Sequence, residues 1–439
     1  MAKVLFQSVA PQLFRASSIG SLYEIAQQHQ VMLITRKLDA RTEEILHDKN
    51  LFPGLENVIY FEWPFHGGIG DIFHKNYRAC KIVKNAIEEY APDIVIAQTD
   101  IWPPDLYLLR AARKKGIVTA VIQSGFKIAE QKKLYHWSCL MNAHLNMPHA
   151  LPFFVRLFLV IVKKYIGHFF YYWILPLGAG EMPFWGKASF IFWYESAGLR
   201  DADYTAVFSK RDYDICINDG VKPEKLLVIG HPLEHASTRG FFQKAYFSQH
   251  RERIDPKTLV IMWPDEAVGF QNRGYALIPG ESIRESRVKI VNLISKKLDD
   301  WKIVVKPHPA IKEASIVKAY LGEISNNVFI ANPLEPADTY IEMSRVIVGM
   351  PHPSTTLFTA SKQNPEKIVV FLHLNNEFLG DSYKDFPGIE YIETEERFKQ
   401  VLDGLRKGTY EKQQHSAEPF DFENASDLVD GIIQKSKTT

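Results

Sequence analysis

The chain has 439 residues, a formal net charge of +1 at pH 7 and a hydrophobic content of 46%. A charge this close to zero argues against a nucleic-acid-binding protein, and the length and apolar content are those of a globular protein of two or three domains. The three cysteines are far apart and odd in number, so they suggest neither a disulfide framework nor a zinc pattern. Because the first residues also lack the apolar core of a secretory signal, we expect a cytoplasmic protein.

The first 125 residues alternate short apolar segments with helical ones. Predicted strands begin near Lys3, Val31, Asn57, Asp93 and Val118, with helices between them. Strands that alternate with helices of this length indicate βαβ units and a parallel sheet. The sequence therefore predicts a Rossmann-like domain over residues 1–233.

Residues 131–197 interrupt this alternation and are crowded with aromatic side chains. Within them, residues 151–177 form two apolar halves separated by Lys163 and Lys164. Neither half reaches the roughly 20 residues that a membrane-spanning helix needs. We interpret residues 151–177 as an interfacial segment on a membrane surface, with the lysines at lipid phosphates. A buried insertion, a dimer interface or a true span are the alternatives.

The second half of the chain repeats the strand–helix alternation. Residues 234–257 are polar and predict a linker, residues 258–420 predict a second Rossmann-like domain, and residues 421–439 predict a final helix. Predicted strands in this domain begin near Thr258, Ile303, Asn327, Val346 and Ile368.

Three predicted strands end in residues that suit a phosphate group. Proline has no N–H to donate to a ladder, so the Lys-Pro-His-Pro and Gly-His-Pro sequences end their strands. In open α/β sheets, ligands bind outside the carboxyl ends of the strands, where a cation, an imidazole or a hydroxyl-bearing helix start can bind phosphate. The residues concerned are Lys306, His308, His231, Ser354, Thr355 and Thr356.

These three strand ends resemble the nucleotide-binding half of GT-B glycosyltransferases, in particular bacterial capsule, lipopolysaccharide and teichoic-acid transferases. The UDP-N-acetylglucosamine 2-epimerases share the same frame. The resemblance implies an α/β GT-B fold, in which two Rossmann-like parallel-sheet domains face each other across a cleft, with the aromatic insertion in the first domain. It also implies transfer of a sugar from a nucleotide-sugar donor to a saccharide or lipid-linked acceptor, in surface polysaccharide synthesis at the inner face of the cell membrane.

The resemblance also suggests roles for individual residues. On the donor side, cations, hydroxyls and helix amides would neutralise the leaving group, so we predict a metal-independent reaction with no cofactor beyond the nucleotide-sugar. Acidic residues after the Asn327 strand would line the base and ribose pocket. On the acceptor side, an acid ending a central strand would be the base, although it could equally cap a helix. The residues are Lys306, His308, Ser354, Thr355 and Thr356 for the phosphates, Glu335 and Asp338 for the nucleoside, and Asp100 with His231 for catalysis, with Glu130 and His66 as alternative bases.

Two departures from the resembling families keep other functions open. The epimerases carry a His and a Glu where this chain has Gln123 and Ser124, which disfavours epimerase chemistry. Many of the transferases carry a Glu-Ala pair where this chain has Thr359 and Ala360, and that Glu commonly contacts the ribose. The alternatives are a CDP-alditol glycerophosphotransferase, a UDP-sugar 2-epimerase and an inactive GT-B-like scaffold.

Overall fold

The protein is described by a computed structural model. The described residues are 1–8, 18–62, 69–100, 103–123, 155, 201–242, 244–245, 255–264, 283–308, 311, 313–323, 325–335, 337–350, 356–357, 360–361, 366–374, 388–410 and 421–438. The aromatic insertion with its 151–177 segment, apart from residue 155, lies outside them. So do Ser354 and Thr355, and the alternative bases His66 and Glu130.

Thirteen described strands form two sheets, and every strand pairing in both sheets is parallel. The strands are β1 (Lys3–Ser8), β2 (Gln30–Thr35), β3 (Leu55–Tyr60), β4 (Ile94–Ala97), β5 (Val118–Ile122), β6 (Tyr204–Val207), β7 (Leu226–Val228), β8 (Asp255–Trp263), β9 (Lys302–Pro307), β10 (Val328–Ile330), β11 (Ser344–Gly349), β12 (Ile368–Leu372) and β13 (Ile389–Ile392). The first sheet has the order β3-β2-β1-β4-β5-β6-β7 and the second the order β10-β9-β8-β11-β12-β13. The predicted parallel α/β architecture is confirmed.

The described helices connect the strands and cover the sheets. They are α1 (Ile19–Gln28), α2 (Ala40–His47), α3 (Ile69–Tyr90), α4 (Pro103–Lys114), α5 (Lys210–Asn218), α6 (Ala236–Phe242), α7 (Ile283–Lys297), α8 (Ala314–Leu321), α9 (Ala337–Met343), α10 (Glu395–Lys407) and α11 (Ala425–Thr438). Among the described helices, none combines the length and the apolar character needed to cross a bilayer.

The chain divides into two compact units. The first comprises Met1–Lys127, Asn146–Ala245 and Glu418–Thr439, and the second comprises Ile128–Leu145 and Tyr246–Ala417. The central strands of each unit are apolar on both faces, as expected for a parallel sheet covered by helices on both sides. Val4, Leu5 and Phe6 of β1 are at most 1% exposed.

The structure describes both ends of the predicted linker, residues 234–257. Its first part contains helix α6, which packs in the first unit because Phe241 and Phe242 are buried. Phe241 stacks on Tyr23 of α1, with 4.4 Å between the ring centroids. Strand β8 also begins at Asp255, three residues earlier than predicted. The polar composition of the segment concealed these two aromatic anchors.

The last helix, α11, belongs to the first unit and packs on α1. The residues before it close the edge of the first sheet, because Asp421 exchanges two hydrogen bonds of 2.7 Å with the backbone of Val228 in β7. The carboxylate of Glu24 in α1 then accepts the N–H of Ala425 at 2.9 Å, at the start of α11. A negative charge at a helix N-terminus is favourable, so this contact anchors the helix.

Candidate functional site

Each sheet reverses its strand order beside its first strand, between β1 and β4 in the first unit and between β8 and β11 in the second. Ligands of open α/β sheets bind outside the carboxyl ends of the strands near such a reversal. We call the last residues of β9, β11 and β12, together with those that follow them, the second-unit edge, and the corresponding residues of β1, β4 and β5 the first-unit edge.

Lys306 lies at the second-unit edge with its side chain only 1% exposed. Its ammonium donates to the carbonyl oxygens of Pro307 at 2.8 Å and Pro333 at 2.9 Å, which ties the exit of β9 to the segment after β10. Burial lowers the pKa of Lys306 to about 8, although the charge of Glu335 opposes that shift. The group is therefore mostly protonated at pH 7, and none of the described residues uses its third N–H.

Lys367 is a buried lysine at the opposite end of the same sheet, directly before β12. Its ammonium donates to three carbonyl oxygens, those of Ile341, Glu342 at 2.9 Å and Ser344 at 2.8 Å. Burial lowers the pKa of Lys367 to about 8 as well. Because all three of its N–H bonds are used at the C-terminal end of α9, this lysine has a structural role.

His308 follows β9 and has an exposed side chain. Its backbone N–H donates to the carbonyl oxygen of Trp263 at 2.8 Å, and its own carbonyl accepts the N–H of Ile311 at 2.9 Å. The ladder between β8 and β9 thus continues past Pro307 and fixes the backbone of His308. The imidazole is thereby presented at the second-unit edge, where the sequence predicted a phosphate-binding group.

The chain after β11 turns back closely on Gly349. A Cβ at this position would lie 2.1 Å from Cδ1 of Leu357, whose side chain is fully buried. Only glycine therefore allows the segment containing Leu357 and the half-buried Thr356 to approach the end of β11. Ser354 and Thr355 precede this segment outside the described residues, so their proposed phosphate contacts stay predictions.

Glu335 is exposed two residues before the start of α9 and accepts a hydrogen bond from the hydroxyl of Tyr340. Burial, together with this bond, raises the pKa of Tyr340 to about 12. The structure thus places Glu335 where its charge acts on Lys306, and Asp338 lies in α9 itself. A nucleoside-binding role for either acid is untested.

His373, directly after β12, is a second-unit edge residue that the sequence reasoning missed. Its side chain is 3% exposed, and its Nδ1 is hydrogen-bonded to the hydroxyl of Tyr391 on β13. The signal was present, because an apolar strand followed by histidine is the pattern that drew attention to the other two strand ends. Leu374 follows His373, so the proline that marks the other two strand ends is absent from this one.

Asp100 lies at the first-unit edge, three residues after β4, and is fully buried. One of its carboxylate oxygens accepts the N–H of Asp201 at 3.2 Å. The structure thus places Asp100 beside a central strand, as predicted, and shows that part of its acceptor capacity is already used. Its role as catalytic base stays a prediction.

His231 is 1% exposed and closes a turn. Its ring Nδ1 accepts the N–H of Leu233 at 3.1 Å, while its backbone N–H donates to the Glu234 carboxylate at 2.8 Å. A neutral imidazole held in this way carries its proton on Nε2. The geometry gives His231 a definite structural task, and a catalytic one is untested.

Gln123, at the end of β5, uses both ends of its amide inside the first unit. Its Oε1 accepts the N–H of Phe208 at 2.9 Å, and its Nε2 donates to Asp212 at 3.1 Å. These bonds join the ends of β5 and β6 to the start of α5. Gln123 is therefore a structural residue at a position where the epimerases were expected to carry a catalytic one.

Among the described residues, no group of three His, Cys, Asp or Glu side chains is arranged to hold a metal ion. The chain contains Asp-x-Asp sequences at 201–203 and 212–214, but all four carboxylates are engaged with protein groups, including the exposed Asp214, which pairs with Lys210. Asp201 pairs with Arg110 at 3.2 Å, Asp203 accepts from the Thr119 hydroxyl at 2.7 Å, and Asp212 holds Gln123.

No protein-family model matches the chain, and no curated protein matches its sequence significantly. Solved structures match it along its length. The UDP-GlcNAc 2-epimerase of Methanocaldococcus jannaschii gives a TM-score of 0.56 at 12% identity, covering 99% of each chain. The UDP-GlcNAc 2-epimerase of Neisseria meningitidis, bound to UDP-GlcNAc, gives 0.55 at 13% identity, covering 99% of this chain and 100% of that one. The glycotransferase of kitacinnamycin gives 0.50 at 14% identity, covering 100% of this chain and 95% of that one.

The chain has a GT-B-like fold. This confirms the fold expected from the three strand ends. At such low identity the similarity extends to the fold and not to the reaction, since one fold carries many chemistries. The residues at the two edges must therefore support any functional proposal.

Proposed function

We propose that this protein is a metal-independent glycosyltransferase that moves a sugar from a nucleotide-sugar donor to a saccharide or lipid-linked acceptor in bacterial surface polysaccharide synthesis. The observation that carries the proposal is the contrast between two buried lysines. Among the described residues, Lys367 donates all three of its N–H groups to backbone carbonyls, whereas Lys306, at the second-unit edge, donates two. A protonated lysine with an N–H in reserve suits an anionic ligand such as a diphosphate.

Other groups at the second-unit edge support a phosphate-bearing donor. His308 presents an exposed imidazole on a fixed backbone, and Gly349 lets the hydroxyl-bearing segment with Thr356 approach the end of β11. Cations, hydroxyls and helix amides together can stabilise a diphosphate leaving group without a metal. The fold neighbour bound to UDP-GlcNAc supports a nucleotide-sugar as the donor class.

A UDP-sugar 2-epimerase is the second candidate, because two of the compared structures are such enzymes. The hydrogen bonds of Gln123 count against an epimerase. An amide that is hydrogen-bonded at both ends inside the unit neither accepts nor releases a proton. We therefore favour transfer over epimerisation.

A thermal-shift screen of the purified protein against UDP, CDP, CMP, GDP, dTDP and their sugars tests the donor site. A ligand at 100 times its dissociation constant stabilises a protein by about 2.7 kcal/mol, so a true donor nucleotide raises the melting temperature measurably. We expect a UDP or GDP response that is lost in Lys306→Met and kept in the matched variant Lys367→Met. A CDP response would favour an alditol-phosphate transferase, and no response to any nucleotide would favour an inactive scaffold.

Product analysis separates the two enzymatic candidates. A transferase releases the nucleotide only when an acceptor is present, whereas a 2-epimerase inverts carbon 2 of the sugar without one. Incubation of the responding nucleotide-sugar in heavy water, with and without a membrane-lipid extract as acceptor, distinguishes them by NMR. Inversion at carbon 2 in the absence of acceptor would overturn the proposed function.

The membrane contact of residues 151–177 and the location at the inner face of the membrane rest on the sequence pattern of that segment. Sedimentation of the full chain with anionic and with neutral vesicles tests them. We expect binding to anionic vesicles that falls as salt is raised, since the two lysines would act on lipid phosphates.

A further inference from the structure

A buried acid–amide contact lies under the first-unit edge. Gln7 is the second-last residue of β1, and Asp105 lies in the first turn of α4. Both side chains are fully buried, and Nε2 of Gln7 donates to Oδ1 of Asp105 at 2.8 Å. The other oxygen of each group, Oε1 of Gln7 and Oδ2 of Asp105, is buried and accepts no hydrogen bond from the described residues.

An ionised Asp105 would be poorly compensated in this position. A helix N-terminus normally stabilises an anion through its first amides, but the two residues before Asp105 are Pro103 and Pro104, which have no N–H. Among the described residues, no lysine, arginine or histidine contacts Asp105. Burial raises its pKa well above the ordinary value, the charge of Asp100 adds to this, and the bond from Gln7 opposes it.

We propose that Asp105 is a positioning residue that carries a proton at neutral pH, on Oδ2, and donates it to Oε1 of Gln7. This bond, together with the one from Nε2 to Oδ1, closes a planar pair that gives both unpartnered oxygens a partner. If Asp105 were ionised, Oδ2 and Oε1 of Gln7 would both be acceptors and could not bond each other. Turning the Gln7 amide over would only bring its oxygen to a different acceptor of Asp105, so neither alternative gives both oxygens a partner.

The consequence concerns Asp100, and this step rests on the proposed function. A protonated Asp105 adds no second negative charge beside Asp100, the proposed base. Pairs of acids whose surroundings drive their protonation states apart provide an acid and a base with fixed roles. An ionised Asp105 would instead place a like charge near Asp100, and like charges disfavour the presence of two carboxylates at one site.

The infrared difference spectrum between the wild type and Asp105→Asn at pH 7 tests the proton directly. Asn has the shape of the neutral acid and keeps both hydrogen bonds with Gln7. We expect the wild type to show the C=O stretching band of a protonated carboxylic acid that the variant lacks, while the melting temperature is unchanged or higher. The absence of such a band from the difference spectrum would overturn the proposal.

A matched control is Asp212→Asn, in the same unit. Asp212 is also fully buried, but it accepts hydrogen bonds from Gln123 and from the Ser209 hydroxyl, each at 3.1 Å. Its replacement removes an acceptor, so we expect a lower melting temperature and no change in the protonated-acid band.

Two further measurements keep the test independent of folding and of the proposed function. If Asp105→Asn does not fold, the carboxyl ¹³C resonances of aspartate-labelled wild type report the same proton, as one aspartate that keeps its protonated shift at pH 7. All aspartates ionised at that pH would overturn the proposal. Neither experiment requires turnover, so failure of the glycosyltransferase assay leaves this result standing.

Discussion

Gln123 shows how hydrogen bonds on both sides give a single residue a structural role. Its amide satisfies the backbone N–H of Phe208 on one side and the carboxylate of Asp212 on the other. This position needs both a donor and an acceptor, and the amide supplies both at every pH. The same reasoning separates Lys306 from Lys367. Among the described residues, Lys367 donates all three ammonium N–H groups to the protein, whereas Lys306 donates two and so can also bind a ligand.

Gln123→Glu, which brings an acid to this strand end, should destabilise the first unit and confer no epimerase activity. The new carboxylate loses the donor to Asp212 and places two buried negative charges side by side, which costs on the order of 3 kcal/mol. Urea unfolding measures the loss. Because a protonated Glu can donate again, the deficit should shrink as pH falls, and a deficit independent of pH would contradict this explanation.

Gly349→Ala should displace the segment around Leu357 and weaken nucleotide binding. The added Cβ would overlap Leu357, whose side chain is buried and has little room to move. We expect a loss of about 1–3 kcal/mol in stability, as for overpacked cores, and a weaker nucleotide response in the thermal-shift screen. Gly322→Ala, where an added Cβ meets no atom within 4 Å but the φ of +67° strains the backbone, is the control that loses stability without losing nucleotide affinity.

At the scale of secondary structure, the first unit depends on the anchoring of its last helix. The carboxylate of Glu24 on α1 holds the start of α11 and also pairs with Nδ1 of His235 at 2.6 Å, while Nε2 of His235 bonds to the carbonyl oxygen of Ile229 at 3.0 Å. A carboxylate and a carbonyl both require a donor, so His235 is doubly protonated in this arrangement. One buried ion pair thus joins α1, the segment before α6, and α11.

This ion pair makes stability depend on pH. Burial alone would lower the pKa of His235, but the hydrogen bond and charge of Glu24 outweigh it, so the pKa is raised. The stabilisation is therefore complete below the unfolded pKa of about 6.5 and is lost as pH rises through the folded value. We expect urea unfolding of the wild type to show higher stability at about pH 6 than at about pH 9.

Glu24→Gln should remove most of that dependence and cost on the order of 3 kcal/mol at low pH, because it breaks a buried pair. The control is Asp430→Asn on α11, whose carboxylate lies 4.0 Å from His29 and is 54% exposed, and which should change little. An equal pH dependence in the wild type and in Glu24→Gln would show that another group titrates.

At the scale of the whole molecule, each unit contains one parallel sheet with its own reversal of strand order. The residues proposed to bind the nucleotide-sugar donor all lie in the second unit. Hydrogen exchange should therefore report nucleotide binding mainly as protection of the second-unit edge, at residues 302–308 and 344–357. The first-unit strand β1 should be protected less. A nucleotide footprint centred on β1 would contradict the assignment of the donor site.

The sequence by itself determined the parallel α/β class, most strand positions and the three strand ends, because local periodicity and the missing N–H of proline act over a few residues. It also suggested Lys306, His308 and Asp100 as edge residues. The tertiary structure decided how each polar group is used. Three of these uses depend on contacts distant in sequence: Lys306 donates to the carbonyl of Pro333, Gln123 bonds with Phe208 and Asp212, and Gln7 meets Asp105 across 98 residues. Burial and hydrogen-bond partners arise from packing, and no local pattern encodes them.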